Sequence, residues 1–356
     1  MTHTVRLKPS DKTFAVEETL PILEQALHQG IVLPYGCKNG ACGSCKCRVL
    51  SGTFVQGPHQ PQALSPVEQA RGLALICCAR ATSDLEIEAR VVAAVGDIPI
   101  RKMPCRVAAI EKLAPDVVRL RLQLPATERL QYLAGQYVDL LLKDGVRRSY
   151  SMATAPGTSD GIELHIRHFP GGRFSDALFG SRQPAIKVRD ILRLEGPLGT
   201  FFLREDSSAP VILLASGTGF APIKAIVEQA RIKAAAPGTV AASMRPMTLY
   251  WGGRRPVDLY HDALCRRWEE EVPGFSYVPV ISDALPEDGW SARVGFVHRA
   301  VMADHPDLSA YEVYACGAPI VVESARHDFI SRCGLHEDAF FADAFTTAAD
   351  TATATG

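Results

Sequence analysis

The sequence lacks any run of 18 or more residues that is apolar without a charge or a Gly or Pro break, so no membrane span is expected. It also lacks a charge excess: 38 Lys and Arg stand against 39 Asp and Glu, leaving a net charge of −1. A nucleic-acid partner is therefore not expected, since such proteins cluster cations to offset phosphate. The N-terminal run Met1-Thr2-His3-Thr4-Val5-Arg6-Leu7 has no apolar core of signal-peptide length, which points to a cytoplasmic protein. There is no internal repeat. Cysteine is plentiful, with 10 residues, but it is not spread as a disulfide scaffold would spread it. Six (Cys37, Cys42, Cys45, Cys47, Cys77 and Cys78) precede residue 80, and Cys105, Cys265, Cys316 and Cys333 are scattered. A tight local cluster in a long chain points to a metal site.

The 356 residues are enough for two or three domains. The first 92 read as a small mixed domain, with strands at Val5–Leu7, Phe14–Val16, Lys46–Leu50 and Leu85–Ala89. A helix is predicted from about Leu20 to His28, with Leu20, Leu23, Ala26 and Leu27 on one face and Gly30 as its stop. Residues 93–103 form a linker ending before Pro104. From 104 to 206 the pattern is all-β: Arg106–Ile110, Val117–Leu122, Tyr137–Leu142, Arg148–Met152, Ile162–His168 and Ile191–Glu195 are six short strands, which suggests a small closed barrel. From 207 to 346 strands and helices alternate, with strands at Val211–Ala215, Thr248–Trp251, Phe275–Val280 and Tyr311–Ala315. Helices at Pro222–Ala230, Leu259–Glu271 and Ile320–Ile330 lie between or after them, a doubly wound parallel-sheet signature. The Thr/Ala-rich tail, 347–356, is expected to be disordered.

Cys37-Lys38-Asn39-Gly40-Ala41-Cys42-Gly43-Ser44-Cys45 has C-x4-C-x2-C spacing, the plant-type [2Fe–2S] pattern, which requires a distant fourth cysteine. Small residues at Gly36, Gly40, Ala41, Gly43 and Ser44 let the loop wrap a cluster closely and aim backbone N–H groups at its sulfurs. A zinc site would more often present paired C-x2-C knuckles, and only one is present here. The fourth ligand is Cys77 or Cys78. If Leu73–Cys78 is extended the two face opposite ways, so only one reaches the iron. Cys47, one residue past the loop, reads as a structural thiol.

Arg148-Ser149-Tyr150-Ser151 closes a barrel strand with an Arg suited to phosphate, a Tyr suited to stack on a flat ring and a Ser able to bond a ring nitrogen. Some twenty residues on, Gly171-Gly172-Arg173-Phe174-Ser175 opens a helical segment and forms an anion cradle. Together the two motifs fit FAD, with Arg148 on its pyrophosphate. His165 and Arg167 share one side of a strand, which either contacts the flavin chain or is solvated. Gly217-Thr218-Gly219 follows a buried strand and opens a helix, with Pro222 in place of the third glycine of the usual dinucleotide fingerprint. Trp251-Gly252-Gly253-Arg254 and Cys316-Gly317 end further strands, where ligands of open parallel sheets bind. Cys316 is either a neighbour of the nicotinamide's reactive carbon or a buried strand-end thiol. Phe340, Phe341 and Phe345 are core aromatics, or one of them covers the flavin.

These residues together resemble the ferredoxin–NADP reductase superfamily, and more narrowly its members with an N-terminal plant-type ferredoxin domain. Those include reductase components of phenol hydroxylase, methane monooxygenase and aromatic-ring dioxygenases, and the CDP-6-deoxy-Δ3,4-glucoseen reductases. The runs Tyr35–Cys45, Ala74–Ala89 and Glu195–Leu203 look closest to the last group. The resemblance implies an α/β multidomain protein: a β-grasp ferredoxin domain, a six-stranded antiparallel FAD barrel and a doubly wound NAD domain. It implies Cys77 as the fourth ligand beside Cys37, Cys42 and Cys45. It places the flavin motifs on Arg148, Tyr150, Ser151, Gly171, Gly172 and Ser175, the nicotinamide motifs on Gly217-Thr218-Gly219 and Cys316-Gly317, and the flavin-proximal aromatic on Phe345. The activity implied is electron transfer from NADH through FAD and the cluster to a protein partner, with the chain a monomer. That partner is a PMP-dependent sugar dehydrase or an oxygenase component. A redox-sensing or carrier module is the reading from another class. NADPH stays open, because Arg254 and Arg255 follow the second nucleotide-domain strand, where a 2′-phosphate is read.

Overall fold

Alternation of apolar and polar residues along Thr2–Lys8 makes β1, with Val5 and Leu7 buried. It pairs antiparallel with β2 (Thr13–Glu17). The computed structural model describes residues 1–92, 98–235 and 244–346. The expected tail at 347–356 and residues 93–97 of the expected linker lie outside these. By contacts the chain divides into two units, one of residues 1–99 together with the described residues from Asp343 on, the other of Ile100–Ala342.

In the N-terminal unit, α1 (Ile22–His28) follows β2, and β3 (Lys46–Ser51), β4 (Phe54–Gln56), α2 (Pro66–Ala70), β5 (Leu73–Leu75), β6 (Ala79–Ala81) and β7 (Leu85–Glu88) come after it. The main sheet has the order β2-β1-β7-β3-β5, with β1 and β7 parallel, and β4 pairs with β6 alone. A mixed sheet with one helix crossing it is the β-grasp arrangement. The helix α1 begins two residues later than its sequence pattern predicts. Pro21 is its N-cap and disfavours helical geometry at Leu20, which is left 38% exposed. The buried face is instead Ile22, Leu23, Gln25 and Ala26. The short helix α2, absent from the sequence reading, has a full capping box: Ser65 Oγ accepts from Glu68 N–H, and Glu68 accepts from Ser65 N–H at 2.8 Å.

The second unit starts with the six expected strands: β8 (Arg101–Ala114), β9 (Val117–Gln123), β10 (Tyr137–Leu141), β11 (Arg147–Ser151), β12 (Gly161–Arg167) and β13 (Ile191–Leu198). Their order is β11-β10-β13-β8-β9-β12. The two end strands then meet through an antiparallel bridge between Met152 and Leu164, backed by Ala153 N–H donating to the Glu163 carbonyl at 2.8 Å. Pro104 sits inside β8, opposite Arg193. The interior is filled by Met103, Val107, Leu120, Leu140, Met152, Leu164 and Ile166, among others. Helix α3 (Arg173–Leu178) buries Phe174 and Leu178 in it.

A parallel sheet follows: β14 (Val211–Ser216), α4 (Phe220–Ala234), β15 (Met247–Gly253), α5 (Asp262–Glu271), β16 (Phe275–Ile281), β17 (Arg293–Val294), α6 (Val297–Asp304), β18 (Glu312–Gly317), α7 (Pro319–Arg332) and β19 (Phe340–Ala344). Its order, β17-β16-β15-β14-β18-β19, shows the chain stepping outward from β14 and then crossing back to β18. The switch between β14 and β18 is where such sheets open a ligand crevice. Helix α5 begins at Asp262 rather than Leu259, because Pro256–Asp258 forms a separate turn in which Asp258 accepts from the N–H groups of Arg254 and Arg255 at 2.8 and 3.0 Å.

Candidate functional site

The loop carrying Cys37, Cys42 and Cys45 has three left-handed residues, Lys38 (φ 62°), Gly40 (77°) and Gly43 (75°). At Gly40 no other residue fits: a Cβ there would lie 2.8 Å from the Pro58 carbonyl and 2.9 Å from Cys78 Sγ. The thiols meet as two pairs, Cys37 with Cys42 and Cys45 with Cys77. Cys37 N–H donates to Cys42 Sγ at 3.3 Å, the direction of bond that stabilises a thiolate. The Cys37 thiol's own hydrogen bond is the main cause that draws Cys42 down to about 6, against burial and with help from Ser44. Cys37 moves up in return, held protonated by that same bond and by burial.

Two thiol pairs suit two irons, each taking two thiolates. A single tetrahedral zinc at ~2.3 Å would hold its sulfurs about 3.8 Å apart. Among the described residues no three cysteine sulfurs lie within 4.8 Å of one another. The donor set therefore fits a binuclear cluster. Cys47 lies outside it, buried in β3 opposite Ala74, and burial pushes its thiol up to about 12. The expectation that Cys77 and Cys78 face opposite ways is overturned. Their segment is a turn, closed by Cys78 N–H on the Leu75 carbonyl at 3.0 Å, and the two sulfurs lie 3.6 Å apart.

The two flavin motifs converge. The Tyr150 ring packs against Phe174 of the Gly171–Ser175 loop, with centroids 5.6 Å apart. Arg173 pairs with Asp144 in the β10–β11 turn. Ser149 Oγ donates to the buried Asp139 at 2.6 Å, Arg148 lies half-buried beside it, and Ser151 is buried at the strand end. The loop is shaped by Ser175, whose hydroxyl donates to the Phe169 carbonyl at 3.0 Å and accepts from Phe169 N–H at 3.3 Å. A side chain at Gly172 is disfavoured, since its Cβ would stand 2.8 Å from the Phe169 carbonyl and 2.4 Å from Ser175 Oγ. The first-turn N–H groups of a helix have no intrahelical acceptor, so Arg173, Phe174 and Ser175 offer donors to a phosphate.

Gly217-Thr218-Gly219 forms a tight turn between β14 and α4, and Cys316-Gly317 closes β18 beside it. The two backbones touch. A Cβ on Gly219 would lie 2.2 Å from the Cys316 carbonyl, and one on Gly317 2.3 Å from the Ser216 carbonyl. This is the crevice at the sheet's switch point. Cys316 is fully buried there, and Phe345 lies half-buried just past β19. Trp251 Nε1 donates to the Gly217 carbonyl at 3.0 Å, and its ring stacks on Phe220 at 4.1 Å.

The outer face of β12 is not solvated. Glu163, His165 and Arg167 point away from the barrel core toward the nucleotide domain, and His165 is 4% exposed. Glu163 is ionised and accepts only, so His165 Nε2–H donates to it at 2.7 Å and Nδ1 accepts the Tyr260 hydroxyl at 3.1 Å. Lys224 from α4 donates to the Ala153 carbonyl at 3.0 Å and lies 3.0 Å from Glu228 and 3.6 Å from Glu163. Arg167 bridges Asp116 at 3.2 Å and Asp258 at 3.1 Å. Glu163, His165 and His261 hold donors within 4.8 Å of one another, but the Lys224 ammonium already supplies the positive charge there. Sequence reasoning missed Glu163, Lys224, Tyr260 and Asp258. Nothing in a local motif signals residues that meet across 60 to 95 positions.

Burial, reinforced by His165, lowers His261 to about 4, and burial lowers His165 as well. Burial raises Glu163, yet the hydrogen bond from His165 and the charges of Lys224 and Arg119 bring it to about 2. An unfolded chain protonates these histidines near pH 6.5, while the folded one refuses the proton at His261 down to about pH 4. Stability is therefore fully present above 6.5 and falls as pH drops toward 4. Melting temperatures from pH 7.5 to 4.5 should fall less steeply in His261→Gln than in the parent. Equal slopes would contradict the assignment.

Three families match in order: a 2Fe-2S iron–sulfur cluster binding domain over residues 5–82, an oxidoreductase FAD-binding domain over 104–203 and an oxidoreductase NAD-binding domain over 213–327. The chain is 41% identical to the CDP-6-deoxy-L-threo-D-glycero-4-hexulose-3-dehydrase reductase of Yersinia pestis over 97% of its length and 99% of that protein's. The chain belongs to the plant-type ferredoxin reductase family. It is also 36% identical to reductase component 1 of the terephthalate 1,2-dioxygenase of a Comamonas species, covering 98% of each. Among solved structures it resembles the Amycolatopsis cytochrome P450 reductase GcoB, with a TM-score of 0.72 and 33% identity over 97% of this chain and 99% of that one. This protein is thus an NAD(P)H-dependent oxidoreductase whose three domains take a [2Fe–2S] cluster, FAD and a nicotinamide nucleotide. No helix among the described residues is long and apolar enough to cross a membrane.

Proposed function

We propose that this reductase carries electrons from NADH to a sugar dehydrase acting on a CDP-linked hexulose. The observation that supports this acceptor is the 41% identity to a dehydrase reductase across 97% of the chain, against 36% for the dioxygenase component. An oxygenase component is the second reading, favoured by that dioxygenase relative. When bound, the nicotinamide supplies a pair of electrons, the flavin accepts the pair and releases single electrons, and the cluster carries them one at a time.

The residues divide the labour of binding. Cys37, Cys42, Cys45 and Cys77 hold the cluster. Arg148 neutralises the flavin pyrophosphate together with the N–H groups of Arg173, Phe174 and Ser175, in a loop whose turn Gly171 and Gly172 shape with their own N–H groups on Asp176 and the Phe169 carbonyl. Tyr150 packs on the ring system, and Ser149 fixes the strand through Asp139. Ser151 hydrogen-bonds the ring. Gly217, Thr218 and Gly219 bind the nicotinamide nucleotide's phosphates at the start of α4. Cys316 and Gly317 border the nicotinamide from β18. His165 orders the barrel face through Glu163 and Tyr260, and reaches the cofactor chain on giving up one of those bonds. The cluster domain ends at residue 92, the FAD domain runs from the start of β8 to 206, the nucleotide domain follows, and the protein acts in the cytoplasm as a monomer.

NADH is the donor in this reading. Arg255, one candidate reader of a 2′-phosphate, donates to the Asp288 carboxylate through Nη2 at 2.6 Å and Nε at 2.9 Å. Asp283 and Glu287 add their negative charge nearby. Steady-state rates should favour NADH over NADPH, and Asp288→Asn should narrow the gap by improving NADPH. An unchanged ratio in that variant would remove Arg255 from the argument. The acceptor is tested by supplying the reduced enzyme with a purified hexulose dehydrase or with a dioxygenase oxygenase component. Faster turnover with the dehydrase supports the first reading, and faster turnover with the oxygenase component replaces it with the second.

A further inference from the structure

Cys78 has no part in the four-ligand set, yet it touches the cluster site twice. Its Sγ lies 3.6 Å from Cys77 Sγ, within hydrogen-bond reach for sulfur. It also packs against the loop at Gly40, where a Cβ would come within 2.9 Å of it. The turn closed by Cys78 N–H on the Leu75 carbonyl fixes both side chains on one side of the chain. In the thiol form either sulfur can donate to the other. A ligand to iron is a thiolate and has no proton, so with Cys77 bound to iron only Cys78 can donate.

The geometry points to Cys78 as a positioning residue that donates its S–H to the Cys77 ligand sulfur and so raises the reduction potential of the cluster. The inference rests on Cys77 being the fourth ligand. A donor aimed at a ligand sulfur stabilises the more negative, reduced cluster and makes it easier to reduce. A sulfur ligand next in sequence to a second thiol gains this donor with no separate element to position it. The half-buried placement of Cys78 between the turn and the loop also limits water at that sulfur.

The test compares the holoenzyme with Cys78→Ala and Cys78→Ser by iron analysis and by EPR-monitored redox titration. Cys78→Ala should keep its iron and show a cluster potential shifted to a more negative value. Cys78→Ser, whose hydroxyl still donates, should return the potential to or above that of the parent. A purely structural role gives the opposite sign, since a cavity at residue 78 admits water and raises the potential. An iron-replete Cys78→Ala with an unchanged or raised potential overturns the inference and leaves the ligand set standing. Loss of iron in Cys78→Ala together with its retention in Cys77→Ala overturns the ligand assignment, and the inference with it. Should the alanine variant not fold, the serine variant decides, and a potential below that of the parent contradicts the donor role.

Discussion

Cys77→Ala is expected to empty the cluster site while the flavin site stays filled. The parent should carry about two irons per chain, and the variant close to none. The reason is geometric. Cys77 is the partner of Cys45, and the other pair, Cys37 with Cys42, is complete without it. Removing Cys77 leaves one iron with a single thiolate, and a binuclear cluster does not survive that. Changes beyond a metal's direct ligands already cost about 10–100-fold, so transfer to a protein acceptor should fall by more than about a hundredfold. Flavin absorbance should persist, because Arg148, Ser149, Tyr150 and Ser151 on β11 and the Gly171–Ser175 loop all lie in the other unit. Iron analysis and visible spectra of the purified variant check this. A variant retaining its iron would name Cys78 as the ligand.

The second large effect is expected at the contact between Gly219 and Gly317. Alanine at Gly219 would place a methyl 2.2 Å from a backbone carbonyl and 2.8 Å from the Gly317 Cα, so the β14 and β18 loops must separate. Overpacking of this kind costs about 1–3 kcal/mol. Gly317 adds a second penalty, since its φ of 127° is a conformation that glycine alone adopts freely. Each ~1.4 kcal/mol is a factor of ten in binding, and both residues border the nucleotide crevice. Gly219→Ala and Gly317→Ala should therefore raise the KM for NADH by about tenfold or more, with iron and flavin content held. Gly317→Ala should be the more severe. If KM stays at the parental value in both, the nucleotide does not bind against this contact.

Features written in adjacent residues were readable from sequence. The spacing of Cys37, Cys42 and Cys45 is local, and so are the alternations that make the six barrel strands. Boundaries set by proline were misread: Pro21 delays α1, and Pro104 lies within β8 rather than ahead of it. The Cys77–Cys78 pair was read as extended because Leu73 and Leu75 alternate, but β5 ends at Leu75 and a turn follows. The edge strand β19 and the short helix α6 carry too few periodic residues to stand out. The Glu163, His165, Tyr260 and Lys224 network was invisible because its members come from four separate segments and only the folded chain joins them. That network changes the meaning of His165. The ring is held between a carboxylate and a phenol, so its part in ordering the barrel face is the stronger of its two roles.

The most direct test of the electron path is an anaerobic titration of the holoenzyme with NADH, followed by absorbance and by low-temperature EPR. The account predicts that flavin bleaching is accompanied by the rhombic EPR signal of a reduced [2Fe–2S] cluster, growing in proportion to added NADH. Bleaching of the flavin with no such signal at any NADH excess would contradict it.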